Sequence, residues 1–261
     1  MKLSTISVAI ATYNEETNIT KCLDAVIDWV DEIVIVDGQS QDQTVTFAKK
    51  YKKIKIISAP NQPMFHHNKQ LAIKNCQSDW ILQLDADEVV DNDLQKEIIT
   101  ILQAKPESVS ENGFWIRRKN FFLNRFLTKG GQYPDPTIRF YKNGQAYLPC
   151  QSVHEQAAVN GKIGQLSGHL LHYADLNFER YLTRNNRYTS LMAGDLQKKH
   201  TPINSISFFK YFLWLPFSTF FDIYFRHRGF VDGFPGFVFA YYSATSHRSA
   251  YIKYYGSKQK S

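Results

Sequence analysis

No G-x-G-x-x-G follows the first apolar run of this chain, and no G-K-[ST] occurs anywhere in it. The dinucleotide and P-loop readings of a nucleotide site therefore lose their main support. Cysteine is scarce: Cys22, Cys76 and Cys150 are odd in number and in no metal-ligand spacing. That argues against a disulfide framework and fits packing roles in a reducing compartment. Long apolar runs are missing where a leader or a span would need one. "MKLSTISVAIATYNEE" has one early Lys and an apolar stretch broken by Thr, Ser, Tyr and Asn, so it reads as a first strand rather than a signal peptide. Within Ile206–Phe225 the longest uncharged run, Tyr211 to Phe221, is 11 residues, short of the ~20 that cross a bilayer.

What remains is a chain of 261 residues, 43% hydrophobic, with 31 Lys+Arg against 24 Asp+Glu and a formal charge of +7. It can bury a sizeable core, and its charge suits an anionic partner such as a nucleotide, a nucleic acid or a membrane surface. The first half has a rhythm. "ISVAIAT" (6–12), "EIVIVD" (32–37), "IKIIS" (54–58) and "WILQLD" (80–85) are short β-branched runs separated by stretches of helical period at 17–29, 42–51 and 66–76. Strands alternating with helices predict an α/β fold with right-handed crossovers and a mostly parallel, Rossmann-like sheet. In such sheets ligands bind outside the carboxyl ends of the strands. There lie "TYNEE", "DGQSQDQT" and "DADE". Singly, the first two also read as turns and helix caps, with Asn14, Thr17 or Asp42 as capping residues and Gly38 for the turn; together the three define one crevice.

The run "ILQLDADEVV" puts Asp85, Asp87 and Glu88 within four positions. That much like charge at one strand end needs a cation or a set of donors to offset it. Asp85 and Asp87 are two apart, and a turn at Ala86 can aim both at one ligand. Hard oxygen ligands suit Mg2+ or Mn2+, which complete their shell with phosphate oxygens and water. A metal-bridged diphosphate departing as leaving group fits this arrangement.

On "ATYNEE" (11–16), "VDGQSQDQT" (36–44) and "NKQLAIKNCQSDWILQLDADE" (68–88), the chain resembles the family 2 glycosyltransferases, which have the GT-A fold. The resemblance implies a nucleotide-binding set of Thr12, Tyr13, Asn14, Glu15, Asp37, Lys69, Asp85 and Ala86. In it Tyr13 and Glu15 lie near base and ribose, Asp37 bonds the uracil ring, and Asp85 meets the ribose or diphosphate. Asp87 would ligate the metal of this DxD motif. Lys69 is read either as a diphosphate contact or as a flank of its helix, and His66 and His67 as a loop and helix start.

An attack at an anomeric carbon needs a base for the acceptor hydroxyl, and a carboxylate is the usual choice. Glu155 and Asp135 are the two candidates. Glu155 is favoured, because "VHE" looks like the counterpart of the family's acidic pair, with His154 replacing the first acid and orienting the glutamate, touching the diphosphate or packing. His172, in "GHLLHYAD", is either a further metal or phosphate contact or a core histidine. "GFWIRRKNFFLNRFL" (113–127) reads as a basic rim toward an anionic acceptor or as a snorkelling edge, and "KNG" (142–144) as a hairpin-like turn.

The later pattern, "PD…IRFY", "VHE" and "LLHY" with a helix from about Asn177, resembles a subgroup of lipopolysaccharide-core β-glucosyltransferases. This implies a UDP-sugar donor, a lipid-linked saccharide acceptor and a place at the cytoplasmic face of the inner membrane. Ile206–Phe225 holds ten aromatics in twenty residues, and Arg226, Arg228, Arg248, Lys253, Lys258 and Lys260 follow. Phe209, Phe212, Leu213, Phe220 and Ile223 share one helical face. This reads as an interfacial segment on anionic lipid, or as a helical hairpin packed on the catalytic domain. "GFVDGFPGF" (229–237) reads as a linker before a last helix at 238–255.

The expectation is thus a GT-A catalytic domain at 1–200, with a nucleotide-sugar half (1–120) and an acceptor half (121–200), and a helical membrane-associating extension at 201–261. It would be an inverting, metal-dependent enzyme with no nucleic acid among its partners. A non-catalytic or nucleic-acid-binding basic protein and a Mg2+-dependent phosphotransferase or phosphatase are the alternatives. The latter needs a nucleophilic Asp at the end of the first strand, where Thr12-Tyr13-Asn14 stands instead.

Overall fold

The computed structural model of the chain describes residues 3–62, 64–151 and 155–259. It divides into two compact units, one of Met1–Arg118 and Asp135–Tyr173, the other of Lys119–Pro134 and Ala174–Ser261.

The first unit is organised by β1 (Ile6–Thr12), β2 (Glu32–Asp37), β3 (Ile54–Ser58) and β4 (Trp80–Asp85), whose limits coincide with the four β-branched runs. They pair in parallel in the order β3-β2-β1-β4. The crossovers carry α1 (Ile19–Asp24), α2 (Thr44–Ala48) and α3 (His66–Lys74). Each is shorter than its stretch of helical period. None has a side-chain bond from its N-cap residue, though at α2 Asp42, one position earlier, accepts from Thr44 N at 3.0 Å.

Then come β5 (Glu88–Val90), α4 (Asn92–Gln103), β6 (Gly113–Phe122), β7 (Arg125–Phe126), β8 (Asp135–Lys142), β9 (Ala146–Tyr147), β10 (Ala158–Val159) and β11 (Ile163–Asp175). Beyond β4 the sheet runs β8-β6-β11-β5. The β4–β8, β6–β8 and β11–β5 pairs are antiparallel, so one GT-A sheet has a parallel and an antiparallel half. The turn at 142–144 is present, with Gly144 at φ +79 and Gln145 N donating to Lys142 O. The strand after it, β9, pairs with β10 instead of folding back on β8.

Successive strand residues point to opposite faces. Ile6, Val8 and Ile10 therefore join Leu23, Ile33, Ile35, Leu82 and Leu94 on one side. Ala9, Val34, Val36 and Ile81 join Ala72 and Ile73 of α3 on the other. Two layers of helix on a central sheet leave the strand ends as the place where polar side chains can gather.

The second unit is helical: α5 (Phe178–Lys198), α6 (Ser205–Phe209), α7 (Leu215–Phe221) and α8 (Gly233–Lys258). Asn177 caps α5 by accepting from Arg180 N. Lys253 of α8 donates to Asn186, Thr189 and Ser190 of α5. Asp232, almost fully buried, accepts from Thr128 N, Lys129 N and the Thr128 hydroxyl, tying the 125–129 segment to the start of α8. Much of 229–237 belongs to α8 itself, because Pro235 falls in its first turn, where a missing amide costs no helical bond. The helical run through α6 and α7 contains two π-type turns, Lys210–Trp214 and Asp222–Arg226. They rotate the residues that follow away from an ideal helical wheel. No helix among the described residues is long and apolar enough to cross a membrane.

His247 of α8 meets the Thr219 hydroxyl of α7 at 3.0 Å. Burial pushes its imidazole below the ordinary 6.5. The unfolded chain then binds the proton more readily than the folded one, so stability is retained above pH 6.5 and lost as pH falls below it. Thermal midpoints measured from pH 7.5 to 5.5 should drop more for the wild type than for His247→Gln, which keeps a partner for Thr219 but does not titrate. Parallel curves would show that another group drives the acid loss.

Candidate active site

The register of the parallel strands assembles the crevice. Thr12 stands opposite Asp37, and Ala11 opposite Asp85. Asp37 and Asp85 thus flank β1, about 10 Å apart at two strand spacings. Strand order reverses at β1, the topological switch where open α/β sheets bind ligands.

The Asp37 side lies between two loops that brace each other. Asn14 N donates to the Ser40 hydroxyl, Gln41 N to Asn14 Oδ1, Glu15 N to the Thr44 hydroxyl and Gln43 N to Glu16 Oε2. Asn14 and Gln39 both take positive φ, which turns each loop sharply off its strand; the short side chain of Asn14 tolerates it. Asp37 is buried and accepts from Ser40 N and Ser40 Oγ. Asn18 Nδ2 donates to Glu15 Oε2. Thr12 is buried, whereas Tyr13 is open to solvent. The bonds that brace the helix starts and the polar rim at these strand ends are therefore supplied by the same residues.

At Asp85 the charge question has an answer inside the chain. Lys69 of α3 pairs with Asp85 Oδ1, and Arg139 Nη2 of β8 sits 2.7 Å from Asp85 Oδ2. Arg139 also bonds Gln83 and reaches Glu88 Oε1 at 3.3 Å. Glu88, 0% exposed, holds Arg118 Nη1 at 3.2 Å, and Arg118 grips Asp135 at 2.7 Å. Glu88 Oε2 further accepts from Asp85 N at 2.9 Å, closing the DADE turn on itself. Lys69, Arg139 and Arg118 thus balance Asp85, Glu88 and Asp135. Burial alone would raise the Asp85 carboxyl, but Arg139 and Lys69 outweigh it and hold it well below the usual carboxylate range. Burial lowers Lys69, against the pull of Asp85. Arg139, opposed by burial, is raised by Asp85 and Glu88.

Asp87 is left to a different neighbour. Tyr173 N donates to Asp87 O, and His172 pairs with Glu88 in the β11–β5 register. His172 Nε2 thereby comes to 3.5 Å from Asp87 Oδ2. The register is set next to Gly168, where any Cβ would strike Leu94 N at 2.2 Å, and by Asp91, which caps α4 and accepts from His169 N.

Glu155 accepts from Cys150 N and from Gln151 N, and its Oε1 lies 3.7 Å from His66 Nδ1. His66 and Lys69 are one turn apart on α3, so one face of α3 meets both Glu155 and Asp85. His154 lies outside the described residues. Ala86 is buried at the turn, as a small residue there allows.

Arg118, Arg139 and Gln83 were not singled out from the sequence. The signal existed: Arg139 and Thr137 alternate with Ile138 and Phe140 in a strand-like run, and a cation at a buried strand position requires an anion.

Three polar strand ends, with the DADE turn at a switch point, are the arrangement of the GT-A glycosyltransferase fold. Residues 7–156 match the family model "Glycosyl transferase family 2", and the chain belongs to that family. An uncharacterized glycosyltransferase of Rickettsia felis is 30% identical over 244 residues, covering 89% of this chain and 83% of that one. The lipopolysaccharide core biosynthesis glycosyltransferase LpsC of Rhizobium meliloti is 27% identical over 253 residues, 92% and 90% of the two chains. The fold is shared with S. aureus TarS 1-349 solved with UDP (16% identity, TM-score 0.50, 98% and 92% covered). It is shared too with the mannosyltransferase PcManGT of Pyrobaculum calidifontis solved with GDP-Man and Mn2+ (11%, 0.50, 96% and 74%). The chain is therefore a glycosyltransferase, and the nucleic-acid-binding and phosphotransferase alternatives fall away.

Proposed function

We propose that this enzyme moves a sugar from a UDP-sugar to a lipid-linked saccharide of the cell envelope, in lipopolysaccharide core or related glycan synthesis, with inversion at the anomeric carbon. The observation that carries the donor half is the division of labour in DADE. Both Asp85 oxygens are engaged by Lys69 and Arg139, while Asp87 stands beside His172. One carboxylate oxygen and one imidazole nitrogen fit a divalent ion that takes its other ligands from a diphosphate and water. The nitrogen donor favours Mn2+ over Mg2+. When bound, the ion would neutralise charge building on the departing diphosphate. Thr12, Tyr13, Asn14, Glu15 and Asp37 would hold the nucleoside, with Lys69 and Ala86 bordering the diphosphate. Glu155 would take the acceptor proton, with His154 supporting it.

The test is Asp87→Ala. Removing a carboxylate from a crowded strand end opens no core cavity, so the fold should persist while Mn2+-stimulated turnover falls by ~10²-fold or more. Wild-type turnover across a Mn2+ titration would overturn the metal assignment.

The acceptor half is supported by the second unit and by the lipopolysaccharide core role of the Rhizobium meliloti relative. Ile206, Phe217 and Phe234 are 78%, 66% and 72% exposed, an apolar surface suited to headgroup depth beside basic residues. On this reading the protein is peripheral on the inner face of the cytoplasmic membrane. Phe217→Glu with Phe234→Glu should weaken sedimentation with anionic vesicles at least ~10-fold, each lost aromatic burial being worth ~1.5–3 kcal/mol. High salt should release only part of the wild type, because apolar burial is not screened. Unchanged sedimentation of the double variant would remove the membrane reading.

A further inference from the structure

Within the second unit, the helical run 205–226 and α8 border an apolar groove of about 550 Å3, a volume in the range of small-ligand sites. Leu213, Trp214, Phe217 and Phe220 line it from one side, Ala244 and Arg248 from α8. Trp214 and Phe217 are also 57% and 66% exposed, so the groove is continuous with the exposed apolar surface.

One cation stands in this lining, held in a specific way. Pro216, in the first turn of α7, has no N–H for the carbonyl four residues before it, Phe212 O, and a side chain can then bond the carbonyl so released. Arg248 does so: its Nε donates to Phe212 O at 2.8 Å. That bond uses the inner edge of the guanidinium. Neither Nη has a partner among the described residues. Thr245, also in the lining, spends its hydroxyl on Tyr241 O and Tyr242 O.

These groups discriminate among occupants. A peptide or a saccharide laid along such walls would give up many hydrogen bonds to water and find few polar partners in return. A hydrocarbon chain gives up none, and an anionic group at one end of it would meet the two free donor edges of Arg248. We propose that the groove takes one acyl chain of an anionic phospholipid from the leaflet on which the protein rests, with the lipid phosphate on Arg248 Nη1 and Nη2. The proposal deepens the membrane reading above and rests on it. Partition of exposed aromatics sets a depth in the bilayer but no rotation about its normal. A lipid held by chain and phosphate together fixes both for the second unit.

Trp214 is the reporter: of the other three tryptophans, Trp29 and Trp80 are buried in the core of the first unit and Trp115 is packed, partly buried, against its second cluster. The probes are lysophosphatidylglycerol and lysophosphatidylcholine, each brominated in mid-chain and kept below its micelle threshold, and glycerol 3-phosphate, which has the phosphate without the chain. The full-length protein should show saturable quenching by the brominated lysophosphatidylglycerol, about fivefold tighter than by the zwitterionic lipid. Trp214→Phe should lose the signal, and glycerol 3-phosphate should not compete. Arg248→Gln should bind both lysolipids alike. Ala244→Leu, which fills the groove from its floor, should abolish quenching at an unchanged thermal midpoint. Non-saturable quenching, equal affinity of the wild type for the two headgroups, or displacement by glycerol 3-phosphate would overturn the proposal. Sedimentation with anionic vesicles separates the two readings. Vesicle binding without lysolipid quenching overturns the groove and leaves the membrane reading; loss of both overturns both.

Discussion

Arg139→Met should destabilise the enzyme by about 3–5 kcal/mol, the cost of leaving a buried charge without its partner. Arg139 touches Gln83, Asp85 and Glu88 together. Methionine fills much of the same volume, so the loss would report charge rather than packing. Glu88 is the reason for the size of the effect: at 0% exposure its carboxylate has no water to turn to, and Arg118 alone would remain. The thermal midpoint should fall by roughly 6–20 °C. Adding Glu88→Gln to Arg139→Met should cost less than the sum of the two single changes, since the second removes the anion that the first strands. A midpoint within a degree or two of wild type for Arg139→Met would mean that Lys69 and Arg118 suffice, and that the six-charge network is not the device that holds the DADE turn.

That network marks where sequence reading stops. The limits of β1 to β4 follow from β-branched runs and turn residues, all local properties, and the crevice follows from them because parallel strands must end on the same edge. Asp37, Asp85 and Asp87 were legible for that reason. Arg118 and Arg139 were not, although both are plain in the sequence, because what gives them meaning is pairing across the sheet. Arg118 faces Asp135 through the β6–β8 register, and Arg139 meets Gln83 because β8 lies antiparallel to β4. Arg118 lies in the stretch that reads as a basic rim, yet it turns toward Glu88 and Asp135. The antiparallel half as a whole was obscure on the same ground: β11 adjoins β6 and β5 rather than a sequence neighbour. Only that placement brings His172 to Asp87. In the second unit a helical wheel assumes 3.6 residues per turn, and the two π-type turns break that assumption.

Glu155→Gln should lower kcat by ~10²–10⁴ while leaving UDP-sugar affinity nearly unchanged, since glutamine keeps the shape and one acceptor oxygen but takes no proton near neutral pH. The two candidate bases differ in what surrounds them. Asp135 takes both Arg118 donors on Oδ2, Nε at 2.9 Å and Nη2 at 2.7 Å, and so serves as the outer anion of the charge network. Glu155 accepts backbone amides from Cys150 and Gln151, neutral donors that hold a carboxylate less firmly than a guanidinium does. Its neighbour His66 sits one turn from Lys69, the residue that binds Asp85. A base near the donor site but off the diphosphate is what a single in-line displacement requires. Asp135→Asn should then cost roughly 1 kcal/mol of stability, a partly exposed charge-assisted bond, with a smaller effect on rate. Measuring kcat, donor affinity and thermal midpoint for both variants separates the roles. If Asp135→Asn retained donor binding and stability but lost turnover, while Glu155→Gln stayed near wild type, the base would be Asp135 and the grip of Arg118 would have to open during the reaction.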